Sequence, residues 1–213
     1  MGLQVYFLRH GETSFSLSGG FCGQLDLDLT EQGREMAEAF AQAYAHIPWQ
    51  AIFVSPMKRT IETATPLCKA TGLEMQIREG LREMNFGDWE EKTRDAVKSN
   101  YLEDYIRWMT EPAWNAPTGG GETALQVANR AMPVIAEIED ICTDGPVLVV
   151  SHKTTIRIIL CQLLGIDLGR YRDRIDCPAG SLSSVQFDAH GPLLRRLGDR
   201  AYMPDHLQER VGT

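Results

Sequence analysis

Leu3-Gln4-Val5-Tyr6-Phe7-Leu8-Arg9-His10-Gly11 opens the chain with six strand-forming residues that stop on a cation, an imidazole and a glycine. The run has the length and β-rich composition of a buried strand. The same pattern returns twice. Ala51 to Val54 ends at Ser55-Pro56-Met57-Lys58-Arg59, and Val147-Leu148-Val149-Val150 ends at Ser151-His152-Lys153. Helical periodicity fills the intervals. Thr30 reads as the N-cap of a helix to about Ala45, with Met36, Ala39, Phe40, Ala43 and Tyr44 at helical spacing and Pro48 closing it. A second helix follows Pro56 and stops at Thr71-Gly72. Leu81 to Trp89 reads as strand end and loop, and Thr93 to Thr110 as largely helical. Glu122 to Cys142 reads as helical, with a kink or break at Pro133. Thr154 to Leu164 reads as an amphipathic helix. Ser183 to Phe187 and Leu193 to Leu197 form a hairpin or two edge strands, and the last dozen residues read as loosely ordered.

Strands alternating with helices imply an α/β fold: a three-layer sandwich with a mainly parallel central sheet flanked by helices. No repeat, low-complexity stretch or linker interrupts the 213 residues, so a single domain over 1–213 is expected. The insert from roughly 90 to 121, with its Pro/Gly-rich end, is expected to form a small helical cap.

Composition narrows the function. Apolar residues at 43% and charged residues at 23% are those of a globular domain. The 29 acidic against 21 basic residues give a net charge of −8. An acidic balance disfavours nucleic acid, which needs a basic stripe, and adhesion to an anionic membrane. No apolar run is long enough to span a bilayer, and the first residues lack the basic and apolar regions of a signal peptide. Cys22, Cys68, Cys142, Cys161 and Cys177 are odd in number and widely spaced, so neither a disulfide framework nor a zinc site is expected. A cytoplasmic location follows as an expectation.

In an open parallel sheet, ligands bind outside the carboxyl ends of the strands. Arg9, His10, Arg59 and His152 all lie just past such ends and should meet in one crevice. Two arginines and two histidines without an acidic partner make a positive pocket suited to a phosphoryl group.

The wider motifs sharpen this. Leu8-Arg9-His10-Gly11-Glu12-Thr13 is followed by Phe21-Cys22-Gly23-Gln24-Leu25-Asp26 and Leu29-Thr30-Glu31-Gln32-Gly33. Ser55-Pro56-Met57-Lys58-Arg59-Thr60 runs on to Thr63-Ala64. Leu81-Arg82-Glu83 precedes Phe86-Gly87-Asp88-Trp89-Glu90, and Ser151-His152 precedes Ile156-Arg157. In this order they resemble the histidine phosphatase superfamily, the branch that also holds cofactor-dependent phosphoglycerate mutases. Asp205-His206-Leu207 resembles a common family tail.

The resemblance implies a metal-independent phosphatase, needing no cofactor, that hydrolyses a small phosphorylated metabolite through a phosphohistidine. His10 would be the nucleophile and Glu83 the general acid and then base. Arg9, Arg59 and His152 would hold the equatorial phosphate oxygens. An anion beside phosphate holds its proton more tightly, which suits Glu83 to the acid role. The alternative within the family is a phosphoglycerate mutase using the same histidine. A binder without turnover would be a different class, but all the core residues are present. Ser55-x-x-Lys58 also fits a penicillin-binding motif, but no Ser-Asp-Asn follows it. Family members are often dimers, so the resemblance allows a homodimer.

The departures bear on substrate choice. Ser16 stands where many mutases place an asparagine on the phosphate, and Glu91 stands where glycine often follows the Trp-Glu pair. Lys153-Thr154-Thr155 replaces a small, glycine-containing run, and Lys153 would read a substrate carboxylate or second phosphate. Ser16, Cys22, Gly23 and Lys153 are the expected substrate contacts. Phe21, Phe86, Trp89 and the region Trp108 to Trp114 line the leaving-group side or pack the core and cap.

Overall fold

The structure is a computed structural model that describes residues 2–210. Its centre is one six-stranded sheet: β1 (Leu3–Arg9), β2 (Ala51–Val54), β3 (Met75–Ile77), β4 (Gly145–Ser151), β5 (Leu182–Asp188) and β6 (Gly191–Asp199), in the order β3-β2-β4-β1-β5-β6. The first four in that order run parallel, while β5 pairs antiparallel with both β1 and β6. The mainly parallel sheet therefore carries an antiparallel hairpin at one edge, the first of the two arrangements open for residues 183–197.

Side chains alternate across each strand and build a core on either face. Val5, Phe7, Phe53, Val147 and Val149 face one side. They pack against α6 (Ala124–Ile141) and α7 (Lys153–Leu164), together with α4 (Arg94–Asn100) and α5 (Leu102–Thr110). Leu8, Ile52, Val54, Leu148 and Val150 face the other, against α2 (Glu31–Tyr44) and α3 (Lys58–Thr71). These are the three layers. Short helices α1 (Ser14–Ser18), α8 (Tyr171–Arg174) and α9 (Asp205–Gln208) complete the set among the described residues. No helix there is long and apolar enough to cross a membrane.

Several expectations are corrected. Pro133 does not break α6. Pro133 and Asn129, whose carbonyl loses its helical donor, both face outward, while Val134, Ile135 and Ile138 stay buried and hold the helix on either side. Thr93 caps α4, but Tyr101, with φ −136° and ψ 42°, separates it from α5. The segment after β1 contains α1, and residues 79–89 contain single 3₁₀ turns at Glu79–Leu81 and Gly87–Trp89. The strand end read at Leu81 is a 3₁₀ turn, and the strand before it, β3, stops at Ile77. The chain end up to Arg210 is anchored. Leu207 and Met203 are buried, and Arg210 Nε donates to the fully buried Glu12 carboxylate at 2.6 Å. Residues 211–213, the remainder of the loosely ordered stretch, lie outside the described residues.

Candidate active site

Strand register brings the polar strand ends together. Arg9 pairs with Ser151 across β1 and β4, and Val54 pairs with Val150 across β2 and β4. His10, Ser55 and His152 therefore emerge at one level. The rings of His10 and His152 lie 5.3 Å apart, centroid to centroid.

His10 is held by its backbone and by its ring. Its N–H donates to the Ser151 carbonyl at 3.0 Å. Ring Nδ1 lies 2.7 Å from the Gly11 carbonyl oxygen. A carbonyl only accepts, so Nδ1 carries the proton and Nε2 keeps its lone pair. Burial, then the charges of Arg59 and Arg9, hold this histidine well below its ordinary protonation range. A neutral imidazole with a free Nε2 is a nucleophile.

The backbone after His10 runs against α2 with no room for side chains. A Cβ on Gly11 would stand 2.4 Å from the Gly33 carbonyl oxygen, and one on Gly33 would stand 2.2 Å from the Glu12 carbonyl oxygen. Glycine at both positions fixes where the His10 loop sits. Thr63 on α3 accepts the Gly11 N–H at 3.0 Å.

Arg59, in the first turn of α3, is nearly fully buried. Its Nη1 donates to Leu25 O at 2.5 Å and its Nη2 to Gly23 O at 2.9 Å. Gly23 has a φ of +50°, a conformation that favours glycine. Arg59 Nε donates to His152 Nδ1 at 3.2 Å. His152 Nδ1 is thus an acceptor, so its proton sits on Nε2 and points to Ser55 Oγ at 2.8 Å. Burial, then Arg59, keeps His152 neutral. Arg9 Nη1 donates to Cys177 O at 2.8 Å.

Glu83 is seated on the start of α7. Its Oε1 accepts from the Met84 and Thr155 N–H groups at 2.8 and 3.2 Å. Oε2 accepts from the Thr154 N–H at 3.1 Å. With one backbone donor against two, Oε2 is the oxygen with room for a proton. Ser151 Oγ donates to Leu81 O at 2.7 Å and Thr155 Oγ1 to Arg82 O at 2.6 Å, which pins the loop that carries Glu83.

These side chains surround a cavity of about 120 Å³. Arg9, His10, Arg59, Glu83, Ser16, Cys22, Gly23 and Lys153 all line it. His152 is fully buried behind it. Ser16 lines the wall, but its hydroxyl donates to Thr13 O and accepts from Thr13 N–H, both at 2.8 Å, and closes the capping box of α1. Burial raises the Cys22 thiol, which therefore stays protonated near neutrality. Phe21, Phe86 and Trp108 both line the cavity and pack on one another, with Trp89 fully buried behind them. Trp114 is 72% exposed and belongs to neither group.

Sequence reasoning passed over several lining residues, four of them polar. Arg94 comes from α4, Tyr171 and Arg172 from α8, and Arg157 was read only as part of a motif. No spacing in the chain ties the first three to the strand ends. Among the described residues, no group of three His, Cys, Asp or Glu side chains is placed to hold a metal.

A family model described as histidine phosphatase superfamily (branch 1) matches residues 5–200. Phosphoserine phosphatase 1 of Hydrogenobacter thermophilus is 29% identical over 97% of each chain. Glucosyl-3-phosphoglycerate phosphatase of Mycolicibacterium vanbaalenii is 32% identical over 88% of this chain and 84% of that one. Among solved structures, YhfR of Bacillus stearothermophilus superposes with a TM-score of 0.87 at 26% identity, covering 94% of this chain and 98% of the other.

Proposed function

The chain belongs to branch 1 of the histidine phosphatase superfamily and is a phosphatase, and from that premise we propose how its own residues perform the hydrolysis. His10 Nε2 attacks phosphorus in line and forms a P–N bond as the P–O ester bond breaks. Glu83 delivers the proton on Oε2 to the leaving oxygen. Glu83, now a carboxylate, takes a proton from water, whose oxygen attacks phosphorus. The P–N bond breaks, its electron pair returns to Nε2, and orthophosphate leaves. Arg9 and Arg59 hold the equatorial oxygens, and their grip strengthens as charge spreads in the transition state. His152 joins them once a phosphate dianion offsets the burial and the Arg59 charge that keep it neutral. Its Nδ1 then takes up a proton from solution, gives up the Arg59 Nε–H that it accepts in the structure, and donates to phosphate.

The observation that carries this reading is the fixed tautomer of His10, neutral and free at Nε2 between two arginines. The test is turnover of p-nitrophenyl phosphate in EDTA. His10→Ala should abolish both turnover and acid-labile labelling by radioactive phosphate ester. Unchanged labelling in that variant would remove His10 as nucleophile. Interconversion of 3- and 2-phosphoglycerate that depends on a bisphosphoglycerate primer would replace hydrolysis by mutase chemistry.

The substrate is a small phosphorylated metabolite. Phosphoserine and glucosyl-3-phosphoglycerate, named for two relatives, head the panel to screen. Five free cysteines support a reducing compartment such as the cytoplasm. The homodimer is tested by sedimentation.

A further inference from the structure

The cavity holds more positive charge than one phosphate needs. Arg9 and Arg59 accompany His10 at its base. Four more cations line the same walls: Lys153, Arg157, Arg172 and Arg94. Among the described residues, the only acidic side chain lining the cavity is Glu83, which accepts hydrogen bonds from the α7 backbone.

Lys153 and Arg157 sit four residues apart on α7, hence on one face and one turn apart. Lys153 has no ion pair and no hydrogen bond among the described residues. Its ammonium is pulled down to about 8 by burial first and then by Arg9 and Arg157. It is still charged near neutrality, at a cost. Arg157 is 13% exposed, and its one acidic neighbour, Asp176, lies 3.8 Å away with 82% of its side chain in solvent. Arg157 Nε is buried without a hydrogen-bond partner. Arg172 donates to the Trp108 and Met109 carbonyls and stacks over the Trp108 ring at 3.9 Å. Those contacts orient it and leave its charge uncompensated. Arg94 opens α4 at the exposed rim.

Like charges brought together in a half-buried cleft repel one another, and the remainder of the fold carries that cost. A ligand with a second anion repays it. Among the described residues, a phosphate monoester of a neutral alcohol leaves Lys153 without an anionic partner and Arg157 with only the solvent-exposed carboxylate of Asp176. We propose that Lys153 and Arg157, flanked by Arg172 and Arg94, form a subsite for a second anionic group on the leaving-group part of the substrate, so that the preferred substrates are phosphate monoesters that also carry a carboxylate or a further phosphate. This rests on the phosphatase reading above. It adds which esters the cavity selects.

Binding of inert phosphonates separates the subsite from the chemistry. 3-Phosphonopropionate and propylphosphonate share a phosphonate and a chain length and differ by a carboxylate against a methyl group. Titration calorimetry of the intact protein in 0.1 M salt should show 3-phosphonopropionate bound at least about tenfold more tightly, which is about 1.4 kcal/mol. Lys153→Met and Arg157→Met should each cut that ratio several-fold, and the double variant should bring it near one. Taking the ratio within each variant cancels any loss common to both ligands, including partial misfolding. Equal binding of the two ligands by the wild-type protein overturns the subsite, and so does a ratio that survives the double substitution. Turnover of p-nitrophenyl phosphate by the same wild-type preparation is scored separately. Turnover with equal phosphonate binding sinks the subsite alone, and a tenfold ratio without turnover sinks the phosphatase reading alone.

Discussion

At the level of single residues, the site depends on two histidines kept neutral by burial and by arginines. Both are held below the ordinary value of about 6.5 that they regain in the unfolded chain. As pH falls through 6.5, the unfolded chain takes up protons that the native protein refuses. Stability contributed by these residues is complete above about 6.5. It is lost as pH falls from there toward the folded values, by up to about 1.4 kcal/mol per pH unit for each histidine. Melting temperature should therefore drop between pH 7 and 5, and the double variant His10→Gln, His152→Gln should flatten that drop. An equally steep drop in the double variant would count against the assignment. Glu83 is tested by what it does after the first step. p-Nitrophenolate leaves without needing a proton, so Glu83→Gln should still phosphorylate His10 with this ester but fail to activate water. Rapid quench should show a burst approaching one equivalent of nitrophenolate, followed by turnover slowed about 10²–10⁴-fold. Slow turnover with no burst would place Glu83 in the first step only. Short motifs in the chain point to His10, Arg9, Arg59, Glu83 and His152 as site residues, and the fold sets the first four around one cavity with His152 buried beside His10. The tautomers are not legible in the chain: that of His10 is set by how the backbone turns at Gly11 to bring its carbonyl under Nδ1, and that of His152 by Arg59 Nε and Ser55 Oγ arriving from separate segments.

At the level of elements, long and strongly patterned segments were readable and short ones were not. β4, with four consecutive fully buried aliphatics, and α2, with its Thr30 cap, fall within a few residues of expectation. β3 has three residues, none of them buried, and only its pairing with β2 makes it a strand. Of the kink or break expected at Pro133, the break is absent because helix propensity is local whereas the buried flank of α6 is not. The departure at Glu91 was visible in the sequence, and its consequence is visible only in the backbone. Glu91 has a φ of +66° and is the one non-glycine residue with positive φ among the described residues. Its N–H donates to Phe21 O at 2.9 Å, which ties the loop after Trp89 to the wall of the cavity and imposes that conformation. The left-handed region costs an ordinary residue roughly 1–2 kcal/mol, and the added chain entropy of glycine offsets part of that relief. Glu91→Gly should therefore stabilise the protein by about 1 kcal/mol, read as a higher denaturant midpoint at unchanged slope. A lower midpoint would show that the Glu91 side chain contributes more than its backbone costs.

At the level of the whole molecule, a chain with a net charge of −8 is built around a cleft lined by six lysine and arginine side chains and one carboxylate. The sequence gives the total charge, but only the fold places it. Arg9 ends β1, Arg59 lies on α3, Lys153 and Arg157 on α7, Arg94 on α4 and Arg172 on α8, so no single window along the chain holds them together. The two distributions make opposite demands on an anionic substrate. The excess negative charge is spread over the remaining surface, where it is screened beyond a Debye length of about 10 Å at 0.1 M salt. The cleft cations act on a bound substrate at contact distances and focus potential between low-dielectric walls. If the cleft dominates, added salt weakens attraction, and kcat/KM for a phosphate ester should fall steadily as potassium chloride is raised from 20 to 300 mM. If the overall charge dominates, added salt relieves repulsion and kcat/KM should rise. The fall should be steeper for an ester with a second anion than for p-nitrophenyl phosphate, because more of the cleft cations then engage the ligand. Substituting Lys153 and Arg157 together should make the two slopes converge. A rise with salt for both esters would mean that the positive lining is too weakly coupled to solution to govern capture, whatever it does for the bound state.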